Sequence, residues 1–238
     1  MFLAVAMCVA SPLLAQRTTV PFIGCKSDGQ LGPQKAPTGK SKVVSIPTKS
    51  AQRLAYYEMG FGVGVLAPRG WYCFGTYGSG GEALHVSPEL IDGMKLFSQE
   101  WRGFAGPAIE IDHSYGGTSG RFTVAETIAE VFPAHQASLR SLVEEEVLSA
   151  SDFPTGPFPA DSLIYISNEV VEYETPAQAD GLGTQSNLRK GDRPISGVAI
   201  LVGKTPDLLR LSVRLPADLS DLTSVIIQQV ERDASTHR

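Results

Sequence analysis

Cys73 and His85 flank a glycine-rich run at residues 78–81. A thiol beside an imidazole is the chemistry of a cysteine nucleophile, because the ring lowers the thiol pKa. Whether the two meet depends on the turn between them. A three- or five-residue hairpin loop pairs position 73 with 85 and puts both side chains on one face. A two-residue loop centred on Ser79-Gly80 pairs 73 with 86 and sends His85 to the opposite face. The competing fate of Cys73 is a disulfide, and the address of the protein, read below, makes that the default.

Asp112, His113 and Ser119 supply the residue types of a hydrolase triad. In a strand, however, Asp112 and His113 point to opposite faces, so this carboxylate cannot orient this imidazole. Residues 117–121 read GTSGR, placing Arg121 where a nucleophile elbow needs glycine. The same turn, with backbone N–H groups beside a guanidinium, suits an anion, which makes Gly117, Ser119 and Arg121 expected ligand contacts. Trp71 and Tyr72 join them as candidates, since alternation sends Trp71 and Cys73 to one face and Tyr72 and Phe74 to the other. One of those sets is core, and a solvent-facing strip would suit a ligand or a protein partner. His85, His113 and His135 are scattered, and neither an H-E-x-x-H nor a C-x-x-C run occurs. No metal or cofactor is expected. The three glutamates at 144–146 read as a solvated helix face. The glycines at 75–81 lack the Lys-Ser/Thr of a phosphate loop.

The elements that must position these groups follow from pattern. Residues 61–68, 71–77 and 83–86 read as strands joined by a Pro-Arg-Gly turn and the 78–81 turn. Ser87-Pro88 reads as an N-cap with proline in the first turn, opening a short helix that Gly93 ends. Another strand is expected at 107–115. Helical spacing then runs through 123–150, broken at Pro133. Residues 162–175 and 195–203 are strand-like. Alternation at Leu209, Leu211, Val213 and Leu215 predicts a half-buried strand. Leu219, Leu222, Val225, Ile226 and Val230 share one face of a closing amphipathic helix. Hairpins, a helical block, more strands and a last helix make an α+β fold: an antiparallel sheet with helices packed mainly on one face.

Composition excludes several classes. The 238 residues carry 20 Lys+Arg against 25 Asp+Glu, a net charge of −5, with 42% hydrophobic residues. That is an ordinary globular balance, neither disordered nor basic enough to hold nucleic acid through phosphate contacts. Residues 2–15, FLAVAMCVASPLLA, hold no charge and are too few for a helical bilayer span of roughly 20 residues. They match the apolar core and small-residue end of a secretory signal, with cleavage after Ala15. Export to the periplasm or beyond leaves two cysteines, Cys25 and Cys73, and an even count in an oxidising compartment predicts one bridge across a 48-residue separation. The chain thus divides into a signal-like segment at 1–15, an extended arm at 16–50 pinned at Cys25, and a single α+β domain at 51–238.

Three stretches carry a resemblance: VPFIGCKSDGQLGP at 20–33, APRGWYCFGTYGSGG at 67–81 and LRLSVRLPADLSDLT at 209–223. They look like segments of a family of uncharacterised exported bacterial proteins, which implies export but no named activity. The order of strand, Ala67-Pro68-Arg69-Gly70-Trp71 and strand early on, with two strands and a helix at the end, is similar to the Mog1/PsbP-like fold. The expectation is an exported, non-enzymatic protein that binds an envelope partner or small ligand, without nucleic acid and without an integral membrane span. The alternative is a hydrolase built on Cys73 with His85, or on Ser119.

Overall fold

The stretch expected as an arm supplies three strands: β1 (Gln16–Gly24), β2 (Ser27–Gly29) and β3 (Ser41–Ile46). The computed structural model describes residues 16–60, 62–137, 139 and 156–235. β1 pairs antiparallel with the edge strand β3 and parallel with β4 (Leu54–Glu58), which pairs with β5 (Gly64–Pro68). These four strands form a sheet of their own, in the order β3-β1-β4-β5.

The Pro-Arg-Gly turn does not close a hairpin. It carries the chain out of the small sheet into a second sheet of eight strands, which begins with β6 (Tyr72–Gly78) and β7 (Gly81–Ser87). Gly70 takes φ +82° at that corner, a backbone region where glycine carries no Cβ penalty. Tyr57 locks the corner: its buried hydroxyl donates to the Pro68 carbonyl at 2.8 Å and accepts the Trp71 N–H at 3.2 Å. Burial pushes this phenol up to about 12, so it stays a donor at any working pH. Arg69 donates from the same corner to the carbonyls of Leu54 and Ala51. Tyr57→Phe strands two backbone groups in the core and is expected to cost about 2 kcal/mol, read as a lower urea midpoint at unchanged slope.

The larger sheet continues with β8 (Ala108–Ser114), β9 (Ser162–Tyr165), β10 (Val170–Thr175), β11 (Ile195–Val202) and β12 (Asp207–Arg214). Its order is β2-β6-β7-β8-β12-β11-β10-β9, antiparallel except where β2 runs beside β6. Among the described residues the α-helices are α1 (Thr48–Ala51), α2 (Gly93–Leu96), α3 (Arg121–Val131) and α4 (Thr223–Ser235). α2 starts at Gly93, where the sequence suggested an end. Asp92 caps it by accepting the Lys95 N–H, while Ser87 instead accepts the Glu89 N–H in a local turn. Pro133 ends α3 in a 3₁₀ turn, Pro133–His135. Residues 144–146 lie outside the described residues.

The α+β class is as expected, and the helices divide between the two faces of the large sheet. α4 lies in the angle between the sheets, where Leu222, Ile226, Ile227 and Val230 pack with Leu84, Ile109, Leu211 and Val213. α3 covers the other face, with Val124, Ile128 and Val131 against Val171, Ala199 and Leu208. Period 2 makes this inevitable, because even and odd positions of β12 are both buried. The strand predicted to be half-buried is therefore covered on both sides. Among the described residues, no helix is long and apolar enough to cross a membrane.

Candidate functional site

Two clefts open around the ends of β7 and β8, one on each face of the large sheet. The first, about 600 Å³, sits between the sheets beside the last turns of α4. Its floor is apolar: Val63, Ile111, Val202, Leu209, Val230 and Ala234. Its rim is polar. His113 lies 3.5 Å from Glu82 and 3.7 Å from Asp207, and its ring meets Tyr115 edge-on at 5.1 Å. The Tyr115 hydroxyl donates to Glu82, and burial together with that carboxylate pushes the phenol well above its usual range. On the opposite rim Lys42 is 3.1 Å from Glu58 and lies over the Tyr56 ring, with Asp233 nearby on α4. Burial, then Asp233 and Glu58, push the Tyr56 phenol up as well.

The second cleft, about 410 Å³, is more polar than the first. Thr76 and Asp112 stand on either side of Ala83, which the register places between them, and Ser114, Ser119 and Thr123 add hydroxyls. Gly80 and Gly120 shape its mouth, where the Gly80 carbonyl accepts the Tyr115 N–H and the Ser79 and Ser119 hydroxyls are 3.1 Å apart. Gly81 is required at this turn. A Cβ there would come within 2.1 Å of the His113 carbonyl oxygen, and its φ is +146°.

Behind the second cleft, a belt of buried polar groups crosses the sheet between two apolar clusters. His85 faces Glu110 across β7–β8, with Nδ1 3.0 Å from the carboxylate, the side chains being 2% and 3% exposed. Arg210 faces Asp112 across β8–β12 at 3.1 Å and also donates to Gln185. Burial opposes ionisation of Glu110, but His85, Arg210 and the Asn187 N–H outweigh it and hold the carboxyl below its usual range. Burial pushes Asp112 up, against the pull of Arg210. Tyr173 donates to the Leu211 carbonyl and lies 2.7 Å from the Ser212 hydroxyl.

At the end of the belt, Glu130 on α3 takes a hydrogen bond from Gln185 on one oxygen, while its other oxygen is buried without a partner. Burial raises this carboxyl from 4.5 to about 7. Glu231 on α4 is raised to about 7 as well, by burial and by Glu172 beside it. A raised acid binds its proton more tightly in the folded state. The stability it adds is therefore complete below about 4.5 and lost as pH rises through about 7. The unfolding free energy is expected to fall by about 1–2 kcal/mol per group between about pH 5 and pH 8, after allowing for solvent screening. Glu130→Gln should flatten its share of a urea-midpoint profile against pH. Stability that climbs across this window would contradict the assignment.

The sequence candidates fall into place unevenly. Cys25 and Cys73 are bridged, with Cα atoms 5.5 Å apart. The turn is the two-residue one, so Cys73 pairs with Val86 and Phe74 pairs with His85. The Cys73–His85 nucleophile is thus corrected on two counts: the thiol is consumed and the imidazole is on the other face. Asp112 and His113 do point to opposite faces, each with its own partner. Ser119 lines the second cleft, its hydroxyl 3.1 Å from that of Ser79. Gly117 and Arg121 line neither cleft, and the Arg121 guanidinium lies 5.4 Å from the Phe122 ring. Trp71 packs partly buried against the intersheet core; Tyr72 is exposed, but Phe74 beside it on that face is buried, so no aromatic strip forms. His135 lies 3.7 Å from Glu169. Sequence reasoning missed Thr76, Glu82, Glu110, Tyr115 and Arg210. The available signal was the alternation of Glu110 and Asp112 with Ile109 and Ile111, charged residues inside an apolar run. Among the described residues, no three His, Cys, Asp or Glu side chains gather as a metal site. Comparison with known protein families, with curated proteins and with solved structures returns no match.

Proposed function

We propose that this chain is an exported binding protein whose first cleft takes a small amphipathic ligand with an apolar body and a cationic head. The signal-like start and the Cys25–Cys73 bridge support the periplasmic or secreted setting. The observation that carries the ligand class is the pairing of an apolar floor with an acidic, aromatic rim. Glu82 and Asp233 line the cleft, Glu58 engages its one ammonium, Lys42, and Asp207 stands behind His113, so the local field favours cations. The Tyr115 ring at the rim suits a cationic group as well, as the Tyr56 ring beneath Lys42 already does. Among the described residues lining the first cleft, His113 has carboxylates and a phenol around it and no aliphatic hydroxyl or thiol, which favours binding over covalent chemistry there.

Thermal shift with alkylammonium ions of increasing chain length tests the reading, with alkyl sulfates of the same lengths as controls. The ammonium series should raise the unfolding temperature progressively, and Asp233→Asn should weaken binding roughly tenfold, about 1.4 kcal/mol. Equal shifts from sulfates and ammonium ions, or none from either, would overturn it. Intact mass of the exported protein after alkylation tests the setting: a chain starting near Gln16 that takes label only after reduction supports export and the bridge together.

A further inference from the structure

The second cleft carries an arrangement that ligand binding in the first does not use. Thr76, at its wall, presents its hydroxyl 3.3 Å from Nε2 of His85. The other ring nitrogen lies 3.0 Å from a Glu110 oxygen. Both Glu110 oxygens also lie within 3.2 Å of the Asn187 N–H, which fixes the carboxylate. Trp101 and Phe104 hem the imidazole with ring centroids at 6.5 and 6.1 Å. An ionised Glu110 can only accept, so Nδ1 carries the imidazole proton and Nε2 is left to accept from Thr76. A β-branched threonine in a strand has few rotamers, so its hydroxyl is held in place. Of the three, Thr76 alone lines the cleft. The two groups behind it are buried.

We propose that Thr76, His85 and Glu110 form a nucleophile relay that hydrolyses small polar esters in the second cleft. The Thr76 oxygen attacks the ester carbonyl carbon, and His85 Nε2 takes the hydroxyl proton. The bond from that carbon to the alkoxy oxygen breaks, the alkoxide takes the proton from Nε2, and an alcohol leaves. Water then attacks the acyl-threonine, giving its proton to Nε2, and the acid departs as Thr76 regains the proton. Ester plus water gives acid plus alcohol. Glu110 is a positioning residue that acts through His85. The first turn of α3, which brings Thr123 to the cleft, places the positive end of its dipole near the developing oxyanion. The cleft volume of about 410 Å³ and its hydroxyl lining limit the substrate to a short, polar acyl group.

The probe is p-nitrophenyl acetate, incubated with the disulfide-bonded full chain, quenched and mapped by peptide mass. The expected result is one acetyl group on Thr76. Thr76→Val should slow nitrophenolate release by at least ~100-fold, and Thr76→Ser should restore it. Glu110→Gln should lower kcat at unchanged KM, since a merely structural role would move folding and not that ratio. Acetyl groups only on lysines, or a Thr76→Val rate equal to the parent chain's, would overturn the proposal. If Thr76→Val does not fold, the mapping on the parent chain decides alone.

Discussion

Arg210→Met is expected to cost about 3–5 kcal/mol, enough to lower the unfolding temperature by roughly 10 °C. Arg210 is 5% exposed and faces Asp112, with Glu110 close enough to feel its charge. Methionine fills similar volume but leaves the Asp112 carboxyl buried without its cation and strips two hydrogen bonds from Gln185. Asp112 is already pushed up by burial, so it will meet the loss by taking a proton, and the defect should be smaller in acid than at neutral pH. The pair variant Arg210→Met with Asp112→Leu should recover part of the loss, because a buried ion pair replaced by apolar groups is often neutral. Urea unfolding of the three chains forms the measurement. A single variant within ~1 kcal/mol of the parent would show that the pair is solvated and that the belt is not a buried network.

The second large effect concerns the bridge. Cys25 directly follows β1 of the small sheet, and Cys73 sits on β6 of the large one, beside the corner where Tyr57 and Arg69 hold the crossing chain. The disulfide therefore joins the two sheets across a sequence separation of 48. Loop-closure entropy for that length is worth roughly 4 kcal/mol. Reductant should lower the unfolding free energy of the parent chain, read from urea titration, by that amount and leave a Cys25→Ala/Cys73→Ala chain unchanged. Equal stability with and without reductant would mean that the unfolded chain gains little freedom when the bridge opens.

Much of this architecture was legible where a pattern is local. The turn at 78–81, the strand at 207–214 and the helix at 223–235 each declare themselves through spacing within a dozen residues. The bridge was legible from parity and setting. The second sheet was not, because Pro68-Arg69-Gly70 reads the same whether the chain folds back on its neighbour or crosses to another layer. What decides it is the side chain of Tyr57 beneath, which local pattern does not report. The polar belt was hidden for a related reason. Glu110 and Asp112 need Arg210, and Arg210 lies 98 positions beyond Asp112. Arg210, Ser212 and Arg214 look like the solvent side of an alternating strand; the structure buries all three. Arg214 is satisfied by the carbonyls of Phe104, Gly106 and Arg189, acceptors that no pattern of side chains could announce. The relay at Thr76 was only half visible, since the turn that separates His85 from Cys73 is the one that presents it diagonally to Thr76.

The pairing of β8 with β12 has a consequence in time. Strands β6 to β8 and strands β9 to β12 each assemble largely from neighbours in sequence, whereas the join between them brings together residues about 100 positions apart. Closing so long a loop carries entropy that short hairpins do not, so this join ranks among the last contacts to form. A chain threading outward from its amino end would complete the small sheet and the β6–β8 half while β12 had yet to emerge. During that interval Asp112 and Glu110 face water, and the β8 edge stands open to any strand that finds it. Two exposed carboxylates on that edge repel a stray copy of the same edge, so the charges later buried in the belt also keep the half-made sheet apart from its neighbours.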